Sequence, residues 1–224
     1  TIKEADTYVQ IKENKLHELK KEARKTPPFS VERYNLNNDI YLEYKAYSSD
    51  SALHYLNENM LLARQLNDKE RELKIQLELS YLLSSIGMYM EAADILNSID
   101  RQTLPSSLLG HYYTCYEHVY FEAGAAQPRY KMFASRYVKL SHAYRDSMQI
   151  TLDPSSATYL WLRETQLREA GKYDEALEFS DRRLAESSFG TPQYALVAYQ
   201  RFRLFESMGK KDEHLYYLVL SAIS

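Results

Sequence analysis

His111, Cys115 and His118 stand at i, i+4 and i+7, which puts two imidazoles and a thiol on one face of a helix. Such a set could hold zinc. No fourth ligand is spaced with it, and structural zinc sites usually pair their ligands across a turn, so packing is the better reading. Signatures of catalysis are missing. There is no Gly-rich phosphate loop, no nucleophile elbow and no His-Glu-x-x-His. Asp50-Ser51 and Asp146-Ser147 read as turn and cap chemistry. The remaining carboxylates lie at solvated helix spacings with no acid–base pair among them. The sequence therefore reads as non-enzymatic, with no cofactor and no resident metal. A metal-dependent or catalytic role at residues 111–118 is the minor alternative.

The residue type that stands out is tyrosine, with 21 in 224 residues. Tyrosine fills space between helices while its hydroxyl reaches water, and it also lines recognition surfaces. A formal charge of -3 gives no basic footprint, so nucleic-acid binding by this segment is not expected. The single cysteine, Cys115, cannot form an internal disulfide. No apolar run approaches the roughly 18 residues that span a bilayer. The chain opens at Thr1 without methionine and stops at Ala222-Ile223-Ser224 inside an apolar helical pattern, so a removed leader and a longer protein are expected.

These residues must be positioned by helices. Six Gly and six Pro favour long regular elements. Residues 2–25 form a charged helix whose seam is Ile2, Ala5, Val9, Leu16, Leu19 and Ala23, off pattern at Lys12. Packing against the next hairpin is the preferred reading of that seam, and a short coiled-coil homodimer contact is the alternative. Thr26-Pro27-Pro28 ends the helix. Helices follow over 31–47 and 51–66. Leu79, Leu82, Leu83 and Ile86 then stripe a helix that Gly87 breaks, and Ala92, Ile95, Leu96 and Ile99 stripe its partner. A third hairpin is expected from Leu108 to Ala123, broken at Gly124, with Pro128 starting a helix to about Ile150. Asp153-Pro154 reads as the cap and first position of the next helix. The last two hairpins turn at Gly171 and Gly209.

The turns recur at Tyr47, Gly87, Gly124, Gly171 and Gly209, at separations of 40, 37, 47 and 38 residues. A hairpin period a little above about 34 residues marks an α-solenoid, in which neighbouring hairpins complete each other's core. G-M-Y-M-E-A-A (87–93) and G-K-Y-D-E-A-L (171–177) resemble the turn of tetratricopeptide repeats, Gly-x-Tyr-x-Glu-Ala. The turns at 47–52 and 209–214 match in part, and the one at Gly124 matches only at its glycine. The family's Trp-Leu-Gly pattern in the first helix is largely absent. The expected fold is all-α: an N-terminal charged helix over 1–28, then a tetratricopeptide-like domain over 29–224. Its five hairpins are expected at about 30–67, 70–101, 107–151, 155–186 and 192–224.

In that register the first helix of each hairpin lines a concave groove suited to an extended peptide or a partner helix. The inward positions are Asn37, Tyr41, Tyr44 and Lys45, then Leu77, Tyr81 and Ser84, then His111, Thr114, His118 and Phe121. Trp161, Thr165 and Arg168 follow, and then Tyr199, Arg203 and Glu206. Asn37, Tyr41, Tyr44, Lys45, Tyr81, His118, Trp161, Arg168, Tyr199 and Arg203 are the candidate contacts for a protein, a peptide or a small ligand. The competing reading is that many of them pack between hairpins.

E-R-Y-N-L-N-N-D-I-Y-L-E-Y-K-A-Y-S-S-D-S-A-L-H-Y (32–55), A-Y-R-D-S-M (143–148) and L-D-P-S-S-A-T-Y-L (152–160) resemble the N-terminal region of a group of Bacteroidetes regulators. In that group a secreted tetratricopeptide-like region precedes a transmembrane segment, a coiled coil and often a helix-turn-helix output domain. The resemblance implies a periplasmic sensor region of a membrane-anchored transcriptional regulator, with its membrane segment outside this chain. A freestanding cytoplasmic scaffold for protein assembly is the alternative.

Overall fold

A computed structural model describes residues 5–126 and 129–223. Eleven α-helices account for the ordered backbone, with no strand among the described residues. They are α1 (Ala5–Lys25), α2 (Val31–Tyr44), α3 (Ser49–Gln65), α4 (Lys69–Ser85), α5 (Tyr89–Ser98), α6 (Ser106–Ala125), α7 (Lys131–Thr151), α8 (Ala157–Glu169), α9 (Tyr173–Ala185), α10 (Pro192–Met208) and α11 (Lys211–Ile223). After α1 the helices pair into antiparallel hairpins: α2 with α3, α4 with α5, α6 with α7, α8 with α9 and α10 with α11. The chain divides into two compact bodies, residues 5–151 and 152–223. In the first, α3 packs on α4, and α4 and α5 pack on α6; in the second, α9 packs on α10. This is the tetratricopeptide-like α-solenoid hairpin expected from the turns.

One hydrogen-bonded stop is used four times. At Gly87 (φ 89°), Met88 N–H donates to Leu83 O at 2.9 Å and Gly87 N–H to Ser84 O at 3.2 Å. This is a Schellman ending, and it needs a left-handed residue that glycine supplies without a Cβ penalty. The same pair of bonds closes α8 at Gly171, α10 at Gly209 and α3 at Asn67, the last with asparagine at φ 52°. Starts are capped by side chains. Ser30, Asp68, Ser156 and Thr191 each accept from the backbone N–H three residues on. The alanines five residues after the turns, Ala52, Ala92 and Ala176, are fully buried where paired helices meet.

Three expectations are corrected. Gly124 does not break its helix: α6 runs on to Ala125, and Gly124 is buried against α7. A Cβ there would sit 3.4 Å from Tyr137 Cβ, an ordinary contact, so the position lies within the α6–α7 packing and has room for a methyl group. Asp153 does not cap α8. It caps its own turn, accepting from Ser155 N–H and Oγ at 2.8 Å, while Ser156 is the cap. Pro154 is correspondingly not the first helical residue. The helix expected to reach Tyr47 ends at Tyr44, because Tyr47 and Ser48 N–H turn back to Tyr44 O. Pro128 and Ile2 lie outside the described residues.

The first body's core joins Leu16 and Ala23 of α1 to Tyr34, Ile40, Leu56, Ile75 and Leu82. The C-terminal half of the α1 seam is thus used in packing, while Val9 is 61% exposed. Buried charge is paired across hairpins. Arg145 Nε of α7 donates to Glu117 Oε1 of α6 at 2.8 Å, and Ser141 Oγ donates to the same oxygen at 3.0 Å. In the second body Arg183 of α9 holds Glu164 of α8 at 2.5 Å and also bonds Gln200 of α10. Most of the tyrosine surplus between α6 and α7 is packing: Tyr116 stacks on Tyr144 at 4.7 Å, and Tyr120 lies 5.7 Å from the same ring. No described helix is long and apolar enough to cross a membrane.

Candidate functional site

The first helices of three successive hairpins, α2, α4 and α6, meet around one carboxylate, Glu78. Two hydrogen-bond donors from α2 and its end converge on Glu78 Oε2: the Tyr41 hydroxyl at 2.5 Å and Lys45 Nζ at 2.9 Å. His111 Nε2 of α6 lies 3.5 Å from the other oxygen, Oε1. Burial opposes the charge on Glu78, but Lys45, His111 and the Tyr41 hydroxyl outweigh it and hold the carboxyl below its ordinary range. The Tyr41 hydroxyl is pushed upward by burial and by this same carboxylate, so it remains a donor.

Tyr81, one helical turn beyond Glu78, carries the cluster outward. Its ring stacks on His118 with centroids 4.0 Å apart, and Lys45 Nζ lies 4.7 Å from the Tyr81 ring centre. Burial raises the Tyr81 hydroxyl to about 12. Burial, and then the Lys45 charge, lower the His118 imidazole to about 4, so it is neutral at pH 7. Ser85 braces the ring: its Oγ lies 2.9 Å from His118 Nε2 and 2.9 Å from Tyr81 O.

Four of the expected contacts, Tyr41, Lys45, Tyr81 and His118, are thus brought together. Two others are drawn into packing. Asn37 is buried, and Tyr44 is covered by α1, whose Lys20 Nζ donates to its hydroxyl at 2.6 Å. Trp161, Arg168, Tyr199 and Arg203 belong to the second body. Trp161 and Arg168 are half-buried on α8, while Tyr199 and Arg203 are exposed on α10, with Arg203 paired to Glu206 at 3.3 Å. The residue at the centre of the first cluster, Glu78, was not among the sequence candidates. Its signal was a lone carboxylate three positions before Tyr81, facing Tyr41 and Lys45 one repeat earlier.

The three side chains considered for zinc point apart. Cys115 is fully buried with Sγ 3.3 Å from Leu77 O, His111 faces Glu78, and His118 faces Tyr81. Among the described residues no group of three or more His, Cys, Asp or Glu is placed to hold a metal. Burial also pushes the Cys115 thiol well up, which removes its nucleophilic form. The arrangement presents a cation beside two rings and a carboxylate, a neutral imidazole edge and the exposed Ser85 hydroxyl.

A family model described as the SusR N-terminal TPR domain matches residues 2–224. Among solved structures, the crystal structure of nearly identical TPR-like repeats from a candidate kinesin light chain of Podospora anserina is similar at 17% identity. That match covers 85% of this chain and 93% of the other, with a TM-score of 0.41. No curated protein matches the sequence.

Proposed function

The chain belongs to the family of SusR N-terminal TPR domains, and from that premise we propose that it is the non-enzymatic sensor region of a membrane-anchored transcriptional regulator of Bacteroidetes type, working on the periplasmic side. It recognises a protein, peptide or small ligand on the face formed by α2, α4 and α6, through Lys45, Tyr81 and His118. The observation that carries this reading is the Glu78 cluster, whose side chains come from three consecutive hairpins. A ligand that engages it differently in two packings of those hairpins would shift the balance between them, which is what a sensor requires. Trp161, Arg168, Tyr199 and Arg203 offer a second contact surface on the other body.

The test is capture from an envelope extract with wild type, Tyr81→Ala and Trp161→Ala, each variant first shown by circular dichroism to be folded. Loss of a wild-type partner from folded Tyr81→Ala supports the α2–α4–α6 face, and loss from Trp161→Ala alone moves recognition to the second body. Equal capture by all three removes both faces from the mechanism.

A further inference from the structure

The parts around Lys45 are those of an ammonium receptor. Its Nζ donates to Glu78 Oε2 at 2.9 Å while lying 4.7 Å from the Tyr81 ring centre and 5.5 Å from that of Tyr41. One carboxylate and two aromatic faces around a single cation combine a charge-assisted hydrogen bond with cation–π attraction. The walls are fixed. Tyr41 is fully buried within α2, and Glu78 and Tyr81 are one turn apart on α4. Glu78 is further held by the Tyr41 hydroxyl at 2.5 Å, and His111 lies 3.5 Å from its other oxygen. The cation is the part least fixed. Lys45 follows the last residue of α2 as its C-cap, ahead of the turn to α3, and its side chain is 33% exposed. One buried wall and two half-buried ones, braced by contacts of their own, around a cation that reaches in from a turn, describe a site whose occupant can be exchanged.

We propose that Tyr41, Glu78 and Tyr81 form a receptor for a primary ammonium group, and that Lys45 is a resident stand-in that an incoming amine displaces. The ammonium comes from a lysine side chain of a peptide partner or from a small free amine; the recognised chemistry is the same. This rests on the binding role proposed above for the α2–α4–α6 face and names what it recognises. A tethered side chain competes at an effective concentration of about millimolar or more, so wild type holds external amines weakly by design. Displacement of Lys45 also frees the end of α2 from α4, which links occupancy to the packing of the first two hairpins.

The experiment titrates n-butylammonium, and in parallel a capped Gly-Lys-Gly peptide, into wild type, Lys45→Ala and Lys45→Ala/Glu78→Gln by calorimetry, with n-butanol as the uncharged control. Lys45→Ala is expected to bind the amine at least about tenfold more tightly than wild type, since the internal competitor is gone. The double variant and n-butanol should show no such gain. The probe that binds more tightly identifies the source of the ammonium. Lys45→Ala binding no better than wild type, or the double variant binding equally well, overturns the proposal. Should Lys45→Ala not fold, Lys45→Gln, which keeps part of the stem without the charge, is titrated under the same criteria. Partner capture that depends on Tyr81 without amine binding to Lys45→Ala defeats this inference alone. Amine binding to Lys45→Ala with capture indifferent to Tyr81→Ala defeats the functional reading alone.

Discussion

The neutral His118 makes the first body sensitive to mild acid. Native His118 is held at about 4 by burial and the nearby Lys45 charge, whereas an unfolded histidine titrates near 6.5. Between those values the unfolded chain takes up a proton that the native chain refuses. Stability is therefore complete above about pH 6.5 and is lost as pH falls toward 4. For the full shift, moving from pH 7 to pH 5 costs about 2 kcal/mol; partial solvent access to the ring reduces the expected figure to about 1 kcal/mol. His111 adds a loss of the same sign, because burial lowers it as well despite the opposing Glu78 charge. The contribution of His118 is isolated by His118→Phe, which keeps a ring to stack on Tyr81 and removes the titration. Urea unfolding of both proteins at pH 7 and pH 5, followed by tyrosine ellipticity, should show wild type losing about 1 kcal/mol more than the variant. Proton NMR of the imidazole gives the midpoint directly. An imidazole midpoint at 6.5 or above, or equal losses in the two proteins, refutes the reasoning.

Further outcomes follow from the turns and the packing. Gly87→Ala should destabilise by about 1 kcal/mol because its φ of 89° disfavours a Cβ. Gly124→Ala should be neutral to slightly stabilising, since helix propensity gains up to about 1 kcal/mol and the new methyl meets only ordinary contacts at 3.4 Å and beyond; thermal unfolding of the pair checks both. Arg145→Leu should cost about 3–5 kcal/mol by leaving Glu117 charged and buried, and Arg145→Leu/Glu117→Leu should recover much of that loss, as denaturant midpoints would show.

The hairpins were legible because their stops are local. Gly87, Gly171 and Gly209 each end a helix through bonds spanning five residues, and after the first two an alanine five positions later, Ala92 and Ala176, marks the close contact. Gly124 misled because a glycine weakens a helix without having to end it, and here the packing of α6 on α7 around Tyr137 carries the helix through. Asp153-Pro154 misled because an Asp two residues before Ser155 satisfies a turn as readily as a helix start. The site was half legible. Tyr41, Lys45, Tyr81 and His118 fall where the repeat register points them. Glu78 escaped because a carboxylate on a helix reads as solvated until its partners, 33 and 37 residues away in sequence, are in place. Asn37 and Tyr44 were placed in the groove by register alone; α1, lying over Tyr44, changed the use of that position.

The division into two bodies gives the second of them an optical reporter of its own. Its one tryptophan, Trp161, sits in the second body, so red-edge excitation that tyrosine does not absorb observes residues 152–223 alone. The stack of Tyr112, Tyr116, Tyr120 and Tyr144 lies in the first, and coupling among those rings produces near-ultraviolet dichroism that is lost when α6 and α7 part. Tryptophan emission therefore follows residues 152–223 alone, while tyrosine dichroism, to which Tyr194, Tyr216 and Tyr217 of that body also contribute, follows both as a ligand is added.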